Sequence, residues 1–216
     1  MFFEINPYHI DTRLIKETVE ALRNGGIIII PTDSVYAVAC DLHHKKALKA
    51  LSKFKGEKLH QMNLSIICKD ISEISEYTKQ ISRSNFKVLK HHLPGPFTFI
   101  LKAGQIVPKM FDLKKKEIGV RITENEIVQS IVRELGNPIA SSSLHNEDEP
   151  ILDYFVDPYA IYEKFQNQVS IIIDGGQGQI EPSTVINCIE NEPELIRQGA
   201  GKLMYDLHSR LRKLKN

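Results

Sequence analysis

The sequence predicts an α/β fold in which one twisted, mixed sheet of parallel and antiparallel strands is flanked by helices. Three observations carry this. Helical and strand-like segments alternate through most of the chain, the arrangement that layers helices on a sheet. The run Ile27-Ile28-Ile29-Ile30 has no period-2 alternation and reads as a strand covered on both faces. Pro94-Gly95-Pro96 and a late succession of strands argue against a simple doubly wound order and make the sheet mixed.

Each element follows from local chemistry. Asp11 caps a helix with Leu14, Ile15, Thr18, Val19 and Leu22 on one face, and Asn24-Gly25 stops it. The isoleucine strand ends at Pro31, which has no N–H to give a ladder. Val35–Cys40 is a second strand, and a lysine-rich helix runs from about His44 to Lys55 until Gly56. The polar stretch Glu57 to Asn63 has no periodicity and reads as a loop. Leu64–Cys68 is a strand, and Asp70-x-x-Glu73 has capping-box spacing. Another helix covers roughly Ser84 to His92. Phe97–Lys102 alternates as a strand, Pro108 opens a helical turn, and Ile118–Ile122 is a strand carrying Arg121. Thr123 and Glu126 have the spacing of a further capping box, for a helix that stops at Gly136. Ile139–Ser142, Val169–Asp174, Ser183–Cys188 and Glu194–Arg197 read as strands, and Asp157-Pro158 as a cap with proline at the first helical position. The acidic segment from Asn146 to Asp153 reads as an exposed loop. The basic, amphipathic stretch at 203–216 reads as a C-terminal helical extension. Residues 1–216 carry no repeat, low-complexity segment or linker and are expected to form one domain.

Lys and Arg number 28 against 27 Asp and Glu, so no global field draws the chain to DNA or a membrane surface, and only local lysine-rich patches remain. Three cysteines without metal spacing suggest a reducing, cytoplasmic setting. The first residues do not read as a signal peptide, and no apolar run approaches a membrane span. Phosphate-loop, dinucleotide, zinc and nucleophile-elbow motifs are missing. The pairs His43-His44 and His91-His92 read as solvated caps at helix ends, so no metal-binding residue is assigned.

What remains is a recurring pattern of strands that end in hydroxyls or a cation. The ends are Thr32-Asp33-Ser34 with Tyr36, Thr98, Arg121, Ser141-Ser142-Ser143, Ser183-Thr184 and Arg197. Each alone is an ordinary polar turn. If they converge, with Lys53 and Lys55 closing from the neighbouring helix, they line a cleft suited to a polyanion and a small polar molecule.

Pro31-Thr32-Asp33-Ser34-Val35-Tyr36 resembles the P-T-D-[ST]-x-Y signature of the YrdC-like family, the threonylcarbamoyl-AMP synthase family. Pro94-Gly95-Pro96-Phe97-Thr98, Gly119-Val120-Arg121-Ile122, Pro182-Ser183-Thr184-Val185 and Arg197-Gln198-Gly199-Ala200 resemble its later motifs in the same order. The resemblance implies a YrdC-like fold with a basic cavity. It also implies synthesis of threonylcarbamoyl-AMP from L-threonine, bicarbonate and ATP with Mg²⁺, a nucleotidyltransferase step towards the t6A modification of tRNA. It gives Thr32, Ser34, Tyr36, Thr98, Arg121 and Ser183 to substrate binding. Lys53, Ser142 and Arg197 fall on phosphates or carbamate, and Lys53, Lys55 and Ser142 on catalysis.

Two positions depart from the synthases. Where they carry K-x-R and S-x-N, this chain has Lys53-Phe54-Lys55 and Ser142-Ser143-Leu144, which resembles the YciO-type branch. Lysine keeps the charge without the planar fork, and leucine offers no hydrogen bond. A lost charge-assisted contact in the transition state costs on the order of 2–4 kcal/mol, or 10²–10³ in rate. A diverged paralogue is therefore one expectation. The alternatives are a non-catalytic module for double-stranded RNA or tRNA, a property described in the family, and an enzyme acting on t6A-modified tRNA.

Overall fold

The computed structural model describes residues 1–59, 61–62, 64–111, 116–146 and 153–203. Its helices are α1 (Thr12–Arg23), α2 (Lys45–Phe54), α3 (Ile71–Tyr77), α4 (Arg83–His92), α5 (Val107–Met110), α6 (Glu126–Leu135) and α7 (Pro158–Phe165). The strands are β1 (Phe2–Glu4), β2 (Ile27–Ile30), β3 (Ala37–Asp41), β4 (Ser65–Ile67), β5 (Phe97–Lys102), β6 (Glu117–Arg121) and β7 (Ile139–Ser143). They continue as β8 (His145–Asn146), β9 (Asp153–Tyr154), β10 (Ile171–Asp174), β11 (Thr184–Asn187) and β12 (Glu194–Arg197).

Ten strands form one sheet in the order β1-β10-β2-β3-β7-β4-β6-β5-β11-β12, and β8 pairs with β9. The sheet is mixed, as the sequence predicts. β1 with β10, β10 with β2, β4 with β6 and β11 with β5 are parallel, and the remaining pairs of that sheet are antiparallel. All four isoleucines of β2 are buried because two apolar layers sandwich them. Ile27 and Ile29 join one core cluster, and Ile28 and Ile30 join the other.

The two layers differ in reach. One cluster takes side chains from α2, α3, α4 and α7 and from strands across the sheet, Ile172 of β10 to Ile186 of β11. The other is built by α1 and α6 against β1, β10, β2, β3, β7 and Ile67 of β4. No described residue of β6, β5, β11 or β12 enters this second cluster. On that half the same face carries Gly119, Thr98, Ile100, Val185 and Asn187, all partly exposed.

Capping follows the sequence in most places. Asp11, Asp70 and Asp157 accept from first-turn amides, as read. At α6 the cap is Asn125, whose Oδ1 accepts from Val128 N at 3.2 Å, and Glu126 is the first helical residue. Thr123 is diverted: its Oγ1 accepts from Asn125 N at 3.1 Å and Asp33 N at 3.4 Å. β1, β8 and β9 are additional to the elements read from the sequence. Of the histidines, His44 is the N-cap of α2, whereas His92 is buried against the edge of Phe97 and is no solvated cap. The C-terminal helix expected at 203–216 and the acidic stretch 147–152 lie outside the described residues, apart from Leu203.

Candidate functional site

Pro31 ends β2, and Thr32 closes the turn that follows. Its Oγ1 donates to Val35 O at 2.7 Å and accepts from Ser34 N at 3.1 Å. That turn aims Asp33 and Ser34 at β6. Arg121, 7% exposed, donates from Nη2 to Asp33 Oδ1 at 2.7 Å and to Ser34 Oγ at 3.0 Å. Asp33 Oδ2 accepts from Glu124 N at 2.9 Å. A buried pair of this kind holds only when both charges are hydrogen-bonded. Burial pulls the Arg121 pKa down, the adjoining Asp33 carboxylate pushes it up, and the charge of Arg197 pulls it down again. Arg121 Nε has no partner among the described residues.

The register places Thr98 one step beyond the Phe99↔Val120 pair, beside Arg121, and directly opposite Val185, which in turn pairs with Arg197. Thr98 Oγ1 and Ser183 Oγ lie 2.8 Å apart. Arg197 donates to Ser183 O from Nε at 3.2 Å and Nη2 at 2.9 Å, and its side chain remains largely exposed. Burial raises the Tyr154 pKa, and the positive charge of Arg197 offsets part of that rise. Thr32, Ser34, Thr98, Arg121, Ser183 and Arg197, drawn from five segments of chain, thus meet on the half-face that α1 and α6 leave open.

Gly119 sets the floor between them. A Cβ there would stand 3.2 Å from Ser65 Cβ and 3.2 Å from Thr98 Cγ2, so glycine lets three strands present small groups side by side. Ser65 Oγ in turn lies 3.2 Å from Ser141 Oγ, extending the row of hydroxyls to β7. Ser65 and Thr123 are members that motif reading passes over, whereas Asp33 and Ser141 stand in strand ends the sequence already singled out. The pairing register reveals Ser65, beside Gly119 and Ser141, and the hydrogen bond from Asp33 N reveals Thr123.

The remaining candidates go elsewhere. In β7, Ile139 belongs to the α1/α6 cluster, whereas Ala140 and Leu144 belong to the other. Strand alternation therefore sends Ser141 and Ser143 towards the Arg121 side and Ser142 towards the α2 side. Leu144 is 1% exposed inside that core. Lys53 and Lys55 sit at the end of α2 on the same far side, Lys53 exposed and Lys55 buried. Tyr36 is fully buried, and its hydroxyl donates to Gly176 O at 2.7 Å and accepts from Gly175 N at 3.3 Å. Burial raises the pKa of this phenol, which anchors the turn after β10.

Among the described residues no group of three or more His, Cys, Asp or Glu stands close enough to hold a metal, and no helix is long and apolar enough to cross a membrane. The family model Sua5_yciO_yrdC, described as telomere recombination, matches residues 20–199. The uncharacterized YciO of Escherichia coli K12 is 35% identical over 201 residues, 93% of this chain and 96% of that protein. The crystal structure of E. coli YciO superposes with a TM-score of 0.85 at 34% identity, covering 94% of this chain and 97% of that one. A threonylcarbamoyl-AMP synthase of Coxiella burnetii is 26% identical over 182 residues, 84% of this chain and 96% of that protein. P. abyssi Sua5, solved with L-threonine, shares the fold with a TM-score of 0.85 at 24% identity, covering 98% of this chain and 60% of its own. With the five motifs in one order, this architecture and these matches over most of its length, the chain belongs to the Sua5/YciO/YrdC family.

Proposed function

We propose that the open half-face binds a small hydroxylated amino acid, L-threonine foremost, beside ATP, and that the chain forms threonylcarbamoyl-AMP from them with bicarbonate. One observation carries this reading: the hydroxyls of Thr32, Ser34, Thr98 and Ser183 are gathered with two arginines on the half-face without α1 and α6, where Thr98 and Arg197 reach the surface and the others lie just beneath it. The synthase from C. burnetii and the threonine-bound Sua5 support the choice of substrate.

The chemistry asks for alignment of anions. The amine of threonine captures carbon dioxide derived from bicarbonate as a carbamate. A carbamate oxygen then attacks the α-phosphorus of ATP and pyrophosphate leaves. Such a step is driven by positioning and by neutralising charge. Thr98 and Ser183 offer paired hydroxyls to the amino acid, and Arg197 has its guanidinium exposed for a phosphate or the carbamate. Arg121 acts differently, because Asp33 already neutralises it. It holds the Thr32–Ser34 turn in place. Both oxygens of Asp33 are engaged, and among the described residues no carboxylate cluster accompanies it. Mg²⁺ enters as the counter-ion of the triphosphate, and no step is assigned to it.

The rate is expected to fall below that of synthases with K-x-R and S-x-N. Lys55 and Leu144 stand at those positions, both buried on the α2 side, and neither side chain carries a planar fork or an amide. The test is pyrophosphate release that requires threonine and bicarbonate together. Omission of either should abolish it, and Ser183→Ala should lower it. Release no faster than without enzyme at saturating ATP would reject the activity.

A further inference from the structure

A second polar cavity opens at the opposite end of the strands that carry the site. Thr98 starts β5 and Ser183 precedes β11, whereas the cavity lies past their carboxyl ends, lined by Leu101 and Lys102 and by the turn Cys188–Asn191. The third wall is the α3–α4 connection and the first turn of α4, from Lys79 to Arg83 with Asn85. Its volume is about 320 Å³, at the small end of the range for ligand sites. Carboxyl ends of neighbouring parallel strands are where open α/β sheets hold ligands.

Three features of this cavity point to an anion. Lys79, Arg83 and Lys102 line it against one acid, Glu190. Glu190 is paired with Lys102 at 3.5 Å, and neither Lys79 nor Arg83 has a carboxylate partner among the described residues. The ten-residue helix α4 begins at its edge, adding the positive end of a helix dipole.

Asn85 supplies the other half of the recognition. It is 1% exposed, and its Nδ2 donates to Cys188 O at 3.0 Å and Glu190 O at 2.6 Å. Those two carbonyls fix the orientation of the amide, and Oδ1 has no partner among the described residues. A buried acceptor left so is costly and calls for a donor. Ser84 Oγ donates to Asn191 O at 2.7 Å, so the turn is tied to α4 and the cavity is formed in advance.

We propose that this cavity is a second binding site, separate from the Thr98–Ser183 face, for a small phosphomonoester that also carries a hydroxyl or amino donor. The phosphate lies on Lys79, Arg83 and the start of α4, and the donor faces Asn85 directly or through one water.

The test is titration of the full chain with ribose 5-phosphate, read by amide chemical shifts, with ribose and inorganic phosphate as partial probes. Shifts should concentrate at 79–85 and 187–191, with ribose 5-phosphate binding tighter than either fragment. Lys79→Glu with Arg83→Glu, both exposed positions, should weaken binding at least tenfold, and Arg197→Ala should leave it unchanged. The proposal is overturned if ribose 5-phosphate causes no shifts there at 10 mM. It is equally overturned if the Arg197 variant loses the binding while the Lys79/Arg83 variant keeps it.

Discussion

The two halves of one sheet face differ in everything but backbone. Under α1 and α6 the face is aliphatic: Ile28, Ile30, Ala37, Ala39, Ile139, Ile171 and Ile173 are sealed from water. Beyond Ile67 the same face changes to Ser65, Gly119, Arg121, Thr98 and Ser183, and the second helix layer stops. The covered half contributes stability through area removed from water. The other half carries small polar groups, of which Ser65, Gly119 and Thr98 are partly exposed while Ser183 and Arg121 are buried, and the exposed ones add little to stability and remain available to a ligand. Arg121 is the joint between them, since it is buried like the first half and polar like the second.

That contrast breaks most severely at the joint. Arg121→Met leaves Asp33 buried without its partner and should cost about 3–5 kcal/mol in urea unfolding. Adding Asp33→Asn should recover part of that loss by removing the orphaned charge. In the covered half, Ile30→Ala should cost about 2–5 kcal/mol while ligand affinity per folded molecule is unchanged. The uncovered half should behave the other way round. Thr98→Ala is expected to move stability by no more than about 1 kcal/mol, the net worth of one hydrogen bond, yet to weaken threonine binding by about tenfold in calorimetry. Gly119→Ala sharpens the same point by crowding Ser65 and Thr98, and should reduce binding without a comparable loss of stability.

The smallest effect is a pH dependence under the other layer. Burial holds the His92 imidazole below its ordinary 6.5, outweighing the upward pull of Val88 O at 2.9 Å. Between the folded value and 6.5 the unfolded chain binds more protons than the folded one, so stability should fall as pH drops below 6.5 and level off once both states are protonated. Buried Glu73, whose pKa burial raises, works in the opposite sense above pH 4.5. The dependence is therefore read as the difference between the native chain and His92→Gln over pH 7.5 to about 5.

Much of this architecture is written in local chemistry. The unbroken isoleucines of β2, the caps at Asp11, Asp70 and Asp157, and the motifs that end at Thr98, Arg121, Ser183 and Arg197 could all be read directly. What could not be read was parity. In Ile139-Ala140-Ser141-Ser142-Ser143 the first residues are buried on both faces, so alternation gives no sign of which serines face Arg121. The answer comes from long-range pairing, Ser141 with Ser65 and Ser142 with Val38. Thr123 misleads in another way: its spacing to Glu126 imitates a cap, but its hydroxyl accepts from Asn125 N two residues on and from Asp33 N ninety residues away, and Asn125 takes the cap. β1 was hidden because three residues carry no period, and only the parallel partner β10 makes them a strand.

The central claim is that the half-face left without a helix is where the substrate sits, and a crystal soaked with L-threonine, ATP and Mg²⁺ tests it most directly. The account predicts density for the amino acid against Thr98 and Ser183, with phosphate within reach of Arg197. Ordered ligand elsewhere, with those three side chains contacting only solvent, would contradict it.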